Sequence, residues 1–239
     1  MMSLLALMYH RARSGPYGNT PAMLDAHFAH IAANYACVLP GDNLDPDRLN
    51  VCLTFDDASY DFYAVVFPLL AKHNLCAVLA VPPVVVSERV DLEPHIRLLV
   101  ESDFSDGAGY CTWTELREIA RSGLVAIAAH GYTHRPLDGS DVDLHTEIVS
   151  SKLLLSARLG CPVDSFVFPY GRFSPRALQL VQQHYAHAFR IGGADNLNWD
   201  RPLLYRVGAD RLPSPTAPFS QPKRLGQRAR RYWNRLRGR

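Results

Sequence analysis

The chain reads as an α/β protein, a distorted (β/α) barrel of about seven parallel strands. Three observations predict this. Apolar, β-prone runs alternate with helical patterns along most of the 239 residues, the arrangement that places a parallel sheet inside a layer of helices. The runs at 51–55 and 124–129 are apolar at nearly every position, as strands covered on both faces are. Polar clusters follow directly on such runs, at the strand C-termini where α/β folds assemble their sites.

In chain order, the pattern predicts a strand at 4–9, a helix near 21–35, a strand at 51–55, a helix near 60–73 and a strand at 75–81. Ala33, Tyr35, Cys37 and Val38 suggest one further short strand. A loop-rich stretch of about 84–109 follows, then a helix at 113–122, a strand at 124–129 and a helix near 143–158. The last part carries a strand at 164–168, a helix at 174–184 and strands at 187–191 and 203–208. After Leu212, Pro213, Pro215, Pro218 and Pro222 crowd together and end the barrel. The expected division is a barrel over 1–212 and a Pro-rich linker with a basic amphipathic tail over 213–239.

Composition narrows the class. A hydrophobic share of 48% with 20% charged residues describes an ordinary globular protein with no disorder signature. The five cysteines are odd in number, scattered, and without a C-x-x-C pair. They read as buried free thiols, which suits a reducing compartment. The apolar start is short, lacks a basic lead and runs into Tyr9 and His10, so it reads as a strand rather than a signal peptide. With no apolar run of 18 residues, no membrane-spanning helix is expected. The expectation is a cytoplasmic protein, peripheral at the inner face of the membrane.

That peripheral placement rests on charge. Eight basic residues and no acid fall in 223–239, whereas the rest of the chain has 17 basic residues against 23 acidic ones. Leu225, Ala229, Tyr232 and Leu236 recur there at helical spacing, with arginines over the other positions. This is the pattern of a basic amphipathic helix on an anionic membrane. A disordered, solubilising basic tail or a nucleic-acid contact is the plain alternative, although no nucleic-acid partner is expected.

Chemistry-bearing residues fall in three clusters. The first is Thr54-Phe55-Asp56-Asp57. Adjacent strand residues point to opposite faces, so the paired acids are free to take different tasks. Alone, such a pair also serves as a turn or helix cap. The second is His130-Gly131-Tyr132-Thr133-His134, whose histidines are four residues apart. On a helical turn they would share one face, as two imidazoles on one metal do. Gly131 permits a tight backbone after the strand. The third is Phe168-Pro169-Tyr170-Gly171, a strand exit that presents the Tyr170 backbone N–H to a strand-end pocket. Asp57, His130 and His134 make a two-histidine, one-carboxylate set suited to a divalent first-row metal with open positions. Zinc is the first choice, with nickel, cobalt and manganese as alternatives. Asp56 is left over as a general base for an attacking water.

The three clusters in this order resemble the motifs of the NodB-type polysaccharide deacetylases, carbohydrate esterase family 4. Thr54 to Asp57 match that family's T-F-D-D. His130 to His134 match its H-S/T-x-x-H, except that Gly131 stands for Ser or Thr. Pro169, Tyr170 and Gly171 match its R-x-P-Y-G, with Val167 where the Arg would be. The F-P-Y-G form looks like the branch that includes exopolysaccharide (poly-N-acetylglucosamine) deacetylases. Similarity extends to Leu7-Met8-Tyr9-His10, Trp113-Thr114-Glu115-Leu116, and Gly193-Ala194-Asp195-Asn196 leading to Tyr205-Arg206-Val207, so it spans roughly residues 4 to 212.

The resemblance implies the same barrel and an N-deacetylase that uses a metal. Two departures follow. The family's third-motif Arg tunes the base aspartate, and Arg206 on a late strand is the candidate substitute here. The family's general-acid His lies near the C-terminus, but no His occurs here after His187. His184 and His187 read as structural. His10, at the end of the first strand, is the candidate that lines the barrel mouth, and the identity of the acid stays open. Trp113 and Tyr132 are candidates to stack on a sugar ring, with Pro169 beside them. The leading expectation is a metal-dependent hydrolase that removes an N-acetyl group from an N-acetylated sugar or polysaccharide precursor. The alternatives are a hydrolase of another small amide on this scaffold, or a carbohydrate-binding protein that has lost catalysis.

Overall fold

A computed structural model describes residues 3–100, 104 and 107–236, with the backbone alone at 235. Arg237 and Arg239 of the basic tail, and Met1 and Met2 of the apolar start, lie outside the described residues. The strands are β1 (Leu4–Tyr9), β2 (Ala36–Cys37), β3 (Asn50–Phe55), β4 (Ala77–Val81), β5 (Val125–Ala129), β6 (Ser165–Val167), β7 (His187–Ile191) and β8 (Leu204–Gly208). Every pairing among them is parallel. β1 pairs with both β3 and β8, which closes a seven-stranded barrel. β2 stays outside that ring and pairs only with the first two residues of β3.

The helices are α1 (Pro21–Asn34), α2 (Phe67–His73), α3 (Pro94–Arg97), α4 (Trp113–Arg121), α5 (Ser151–Leu159), α6 (Pro175–His184) and α7 (Gln221–Leu236). Local chemistry fixes their starts. Thr20, Thr112 and Ser174 cap α1, α4 and α6 by accepting backbone N–H bonds, and Thr112 with Glu115 forms a capping box. Single π-helical turns at Phe62–Val66 and His145–Ser150 run into α2 and α5. Each expected helix in these regions is therefore two pieces, because a π turn widens the spacing that a 3.6-residue period assumes.

Alternation along the strands separates two cores. Leu4, Ala6, Cys52, Val78, Ala80, Ala128, Val167, Phe189 and Leu204 fill the barrel interior. Leu5, Leu7, Val51, Leu53, Phe55 and Leu79 face outward against Leu24 and Phe28 of α1, Leu116 of α4 and Val181 of α6. The inward parity continues past the strands into polar residues: Cys52 and Thr54 lead to Asp56, Ala6 and Met8 to His10, Ala128 to His130, and Leu204 to Arg206. One geometric rule thus delivers four chemistry-bearing side chains toward the barrel axis. Small interior residues (Ala6, Cys52, Ala80, Ala128) leave room for the long Arg206 side chain, which is 1% exposed.

Candidate active site

Asp56 and Asp57 do not divide between opposite faces as simple strand alternation predicts. Asp57 leaves the strand with φ +75°, followed by Ala58 at +55°. This left-handed turn brings the Asp57 carboxylate back over the barrel mouth beside Asp56. The histidine pair also departs from expectation. His130 and His134 lie on a loop rather than a helical turn, and His134 has φ +57°. Tyr170 has φ +56°. Each of the three motifs therefore contributes one non-glycine residue in the left-handed region, a conformation that persists only where surrounding contacts hold it.

Those contacts are specific. The Glu147 carboxylate accepts hydrogen bonds from the backbone N–H groups of Tyr132 (2.7 Å) and Thr133 (3.0 Å) and from the Thr133 hydroxyl. A Cβ added at Gly131, which has φ +70°, would sit 2.9 Å from Glu147 Oε2. A side chain here would crowd this carboxylate and would adopt a left-handed conformation, which glycine takes without strain. His130 Nδ1–H donates to the Val167 carbonyl (2.8 Å), which orients the ring with Nε2 turned to the mouth. That contact uses the backbone of β6, so it does not depend on the side chain that stands where the family has Arg.

Ligating atoms of Asp57, His130 and His134 all lie within 4.8 Å of one another. Asp57 Oδ1 is 3.5 Å from His130 Nε2 and 3.2 Å from His134 Nε2, and it is buried without a hydrogen-bond partner. A buried, unsatisfied carboxylate oxygen between two imidazole nitrogens is what a divalent cation would satisfy. The residues present therefore fit a metal. Burial opposes charge on Asp57, yet the two histidines outweigh it and hold the carboxyl far below the usual range.

Asp56 is buried and receives a two-pronged bond from Arg206, at 2.6 Å (Nη1 to Oδ1) and 2.8 Å (Nη2 to Oδ2). Arg206 Nη1 also donates to Thr54 Oγ1 at 3.1 Å. Burial alone would raise the Asp56 pKa; the guanidinium overrides it and keeps the acid ionised. His10 stands on the other side of Asp56, with Nε2 3.8 Å from Asp56 Oδ2. Its Nδ1–H donates to Asp210 Oδ2 (2.7 Å), and its backbone N–H donates to Asp210 Oδ1 (3.1 Å). Burial works against charge on this imidazole, but Asp210 and Asp56 push its pKa up to about 9. Arg11 and the Ala12 amide both donate to the buried Asp61, which anchors the chain just after His10.

The Phe168–Gly171 turn lies against the second motif. Pro169 is buried next to Gly131, and Tyr170 Oη is 3.3 Å from His134 Nδ1. The turn uses the Gly171 and Arg172 amides on the Phe168 and Pro169 carbonyls, and the Tyr170 amide has no acceptor among the described residues. Tyr132 is half-buried, with its amide on Glu147. Trp113 requires a correction. It is 4% exposed, packed in the outer core with Arg158 over its ring, and cannot stack on a sugar. Three site residues escaped sequence reasoning. Asp210 and Glu147 are acids on or after barrel elements, a weak signal without geometry. Phe104, whose ring stacks on His134 at 4.1 Å and 8°, lies in the loop-rich stretch of 84–109, which carries no pattern.

The barrel and its mouth define a class: a NodB-like (β/α) barrel with a His/His/Asp cluster beside a second, Arg-paired aspartate. Comparison with known proteins makes this specific. Residues 44–189 match the polysaccharide deacetylase family, and the chain belongs to that family. It is 38% identical over 80 residues to the poly-β-1,6-N-acetyl-D-glucosamine N-deacetylase of Escherichia coli K12. That stretch is 34% of this chain and 11% of the relative, so the chain aligns with about a tenth of the relative's length. Similar solved structures include the Streptococcus pyogenes deacetylase PplD in complex with acetate, with TM-score 0.73 and 21% identity, covering 90% of this chain and 96% of that one. IcaB from Ammonifex degensii gives TM-score 0.66 and 19% identity, covering 88% and 93%. At these identities the two structures support the fold.

Proposed function

We propose that this protein is a divalent-metal-dependent N-deacetylase of N-acetylated glycans, with polymers of N-acetylglucosamine as the leading substrate class. The observation that carries the reading is the pairing at the mouth. One aspartate is held ionised by Arg206, and one imidazole is held protonated by Asp210, on the rim of a three-residue metal-ligand cluster. The local identity to the Escherichia coli glycan N-deacetylase supports the substrate class.

Asp57, His130 and His134 would hold the metal, zinc being the best match to the ligand types. Bound there, it would supply Lewis-acid polarisation of the acetamide carbonyl and of water. Asp56 takes a proton from the water as its oxygen attacks the acetyl carbon. Arg206 keeps that carboxylate charged and aimed. The Tyr170 N–H donates to the carbonyl oxygen as negative charge develops on it. His10 gives its Nε2 proton to the sugar nitrogen as the C–N bond breaks, leaving acetate and a free amine. Asp210 holds the His10 ring in the orientation and charge state this requires.

The test is a substrate panel on the purified protein: N-acetylglucosamine oligomers with β-1,6 and β-1,4 linkages, free N-acetylglucosamine, and simple acetamides. New amines on the oligomers support the reading. Turnover of simple acetamides alone would favour a small-amide hydrolase. Tight oligomer binding without turnover would favour a binding protein.

A further inference from the structure

The C-terminal helix is docked the wrong way round for a soluble protein. Arg224, Gln227, Arg231 and Asn234 recur at intervals of three and four, so they share one face. That polar face is the one on the barrel. Arg231 pairs with the fully buried Asp195 at 3.0 Å, and Arg224 donates to Ser3 Oγ at 2.8 Å. Gln227 donates to the Pro218 carbonyl, and Asn234 to the Gly192 carbonyl at 3.1 Å. The opposite face carries Leu225 (65% exposed), Ala229, Tyr232 (61%) and Leu236 (83%), with Trp233 (54%) beside them. Exposed Arg228 borders this row on one side; Trp233 and Gly226 lie on the other, and Lys223 and Arg230 lie beyond them toward the docked face.

From this arrangement we infer that the outward face of α7 seats on an anionic lipid bilayer. A helix that buries its polar side and presents a narrow apolar row has kept that row for something outside the molecule. Charge selects the occupant. Arg228 flanks the row, where its stem lies along apolar surface and its head reaches lipid phosphates, and the helix as a whole is strongly basic. Tyr232 and Trp233 supply rings that settle at the headgroup level. The rest of the chain has more acidic than basic residues, so an anionic surface repels the body and attracts this helix, which sets the orientation. The placement also has a consequence for the mouth. Asn234 and Arg230 touch Gly192 and Gly193, directly after β7. Ile191, the last residue of β7, lies against Gly171 of the mouth turn. The docked side of α7 therefore packs on the strand end that adjoins the mouth turn.

The experiment is co-sedimentation of the full chain with extruded vesicles of phosphatidylcholine alone or mixed with phosphatidylglycerol, at low and high salt. One variant combines Leu225→Ser, Tyr232→Ser and Leu236→Ser; another combines Lys223→Gln and Arg228→Gln. All five side chains are exposed, so neither variant should change the thermal midpoint. The expected result is salt-sensitive binding to anionic vesicles only, weakened on the order of tenfold or more in each variant. Wild-type protein that stays in the supernatant with anionic vesicles at low salt overturns the inference, as does binding undiminished in both variants. So does a concentration-dependent dimer that the serine variant abolishes while vesicle binding is unchanged, which would assign the face to a second copy of the chain.

Discussion

Asp56 and His10 face each other across 3.8 Å with opposite partners behind them, Arg206 and Asp210. The buried guanidinium makes two parallel bonds that a lysine cannot reproduce. Asp56→Asn should retain metal and lose roughly 10²–10⁴-fold in acetate release, the span of general-base contributions. Arg206→Lys should fall between that variant and wild type, and wild-type rates in either, with metal content measured alongside, would remove the pair from the mechanism. His10 gives a pH prediction with a definite sign. Its folded-state pKa is raised to about 9, so the acid form is present at neutral pH and activity should fall as pH rises through about 9. The same shift stabilises the fold fully below the ordinary histidine value of about 6.5, and this is lost as pH rises through the folded value. Asp210→Asn should move the alkaline limb to lower pH; an unmoved limb would mean that another group is the acid.

The loop from His130 to His134 carries two of the three proposed metal ligands. Glu147, at the π turn ahead of α5, holds three of its donors. Glu147→Gln preserves the shape but weakens those bonds, and metal affinity by titration calorimetry should drop about 10–100-fold, the usual cost of losing an outer-shell partner. Gly131→Ser, which restores the family residue, should destabilise by about 1–3 kcal/mol because it strains a left-handed position and collides with Glu147. Unfolding melts that match wild type would contradict that account. Much at this scale was legible in the sequence. The strands sit within a residue or two of the apolar runs, since a strand covered on both faces must be apolar throughout. The two π turns were not legible, because they leave the apolar pattern nearly intact while they shift register. Nor was the conformation of the histidine loop. Four-residue spacing fits a helix and a loop equally, and the deciding partner, Glu147, is 13 residues beyond His134.

At the scale of the whole molecule, closure by β1 against β3 and β8 makes one end of the barrel a site. Asp56, His130 and Arg206 come from strands far apart in sequence, and inward parity alone sends them to the axis. Motif and parity therefore pointed to the candidate site in the sequence, while its outer support did not follow from them. Asp210 and Phe104 reach the site through loops whose paths depend on packing. The tail shows the same division: its amphipathic period was legible, but the side that docks on Asp195 was not. The central claim is that the Asp57, His130 and His134 cluster, with the acid–base pair beside it, hydrolyses acetamides on a glycan. Its most direct test is acetate released from N-acetylglucosamine oligomers by wild-type protein that has been stripped with a chelator and then restored with zinc, in parallel with His134→Ala. The account predicts activity lost on stripping, recovered with the ion in wild type, and absent in the variant under both conditions. Equal acetate release from stripped and restored wild type, or from His134→Ala, would contradict it.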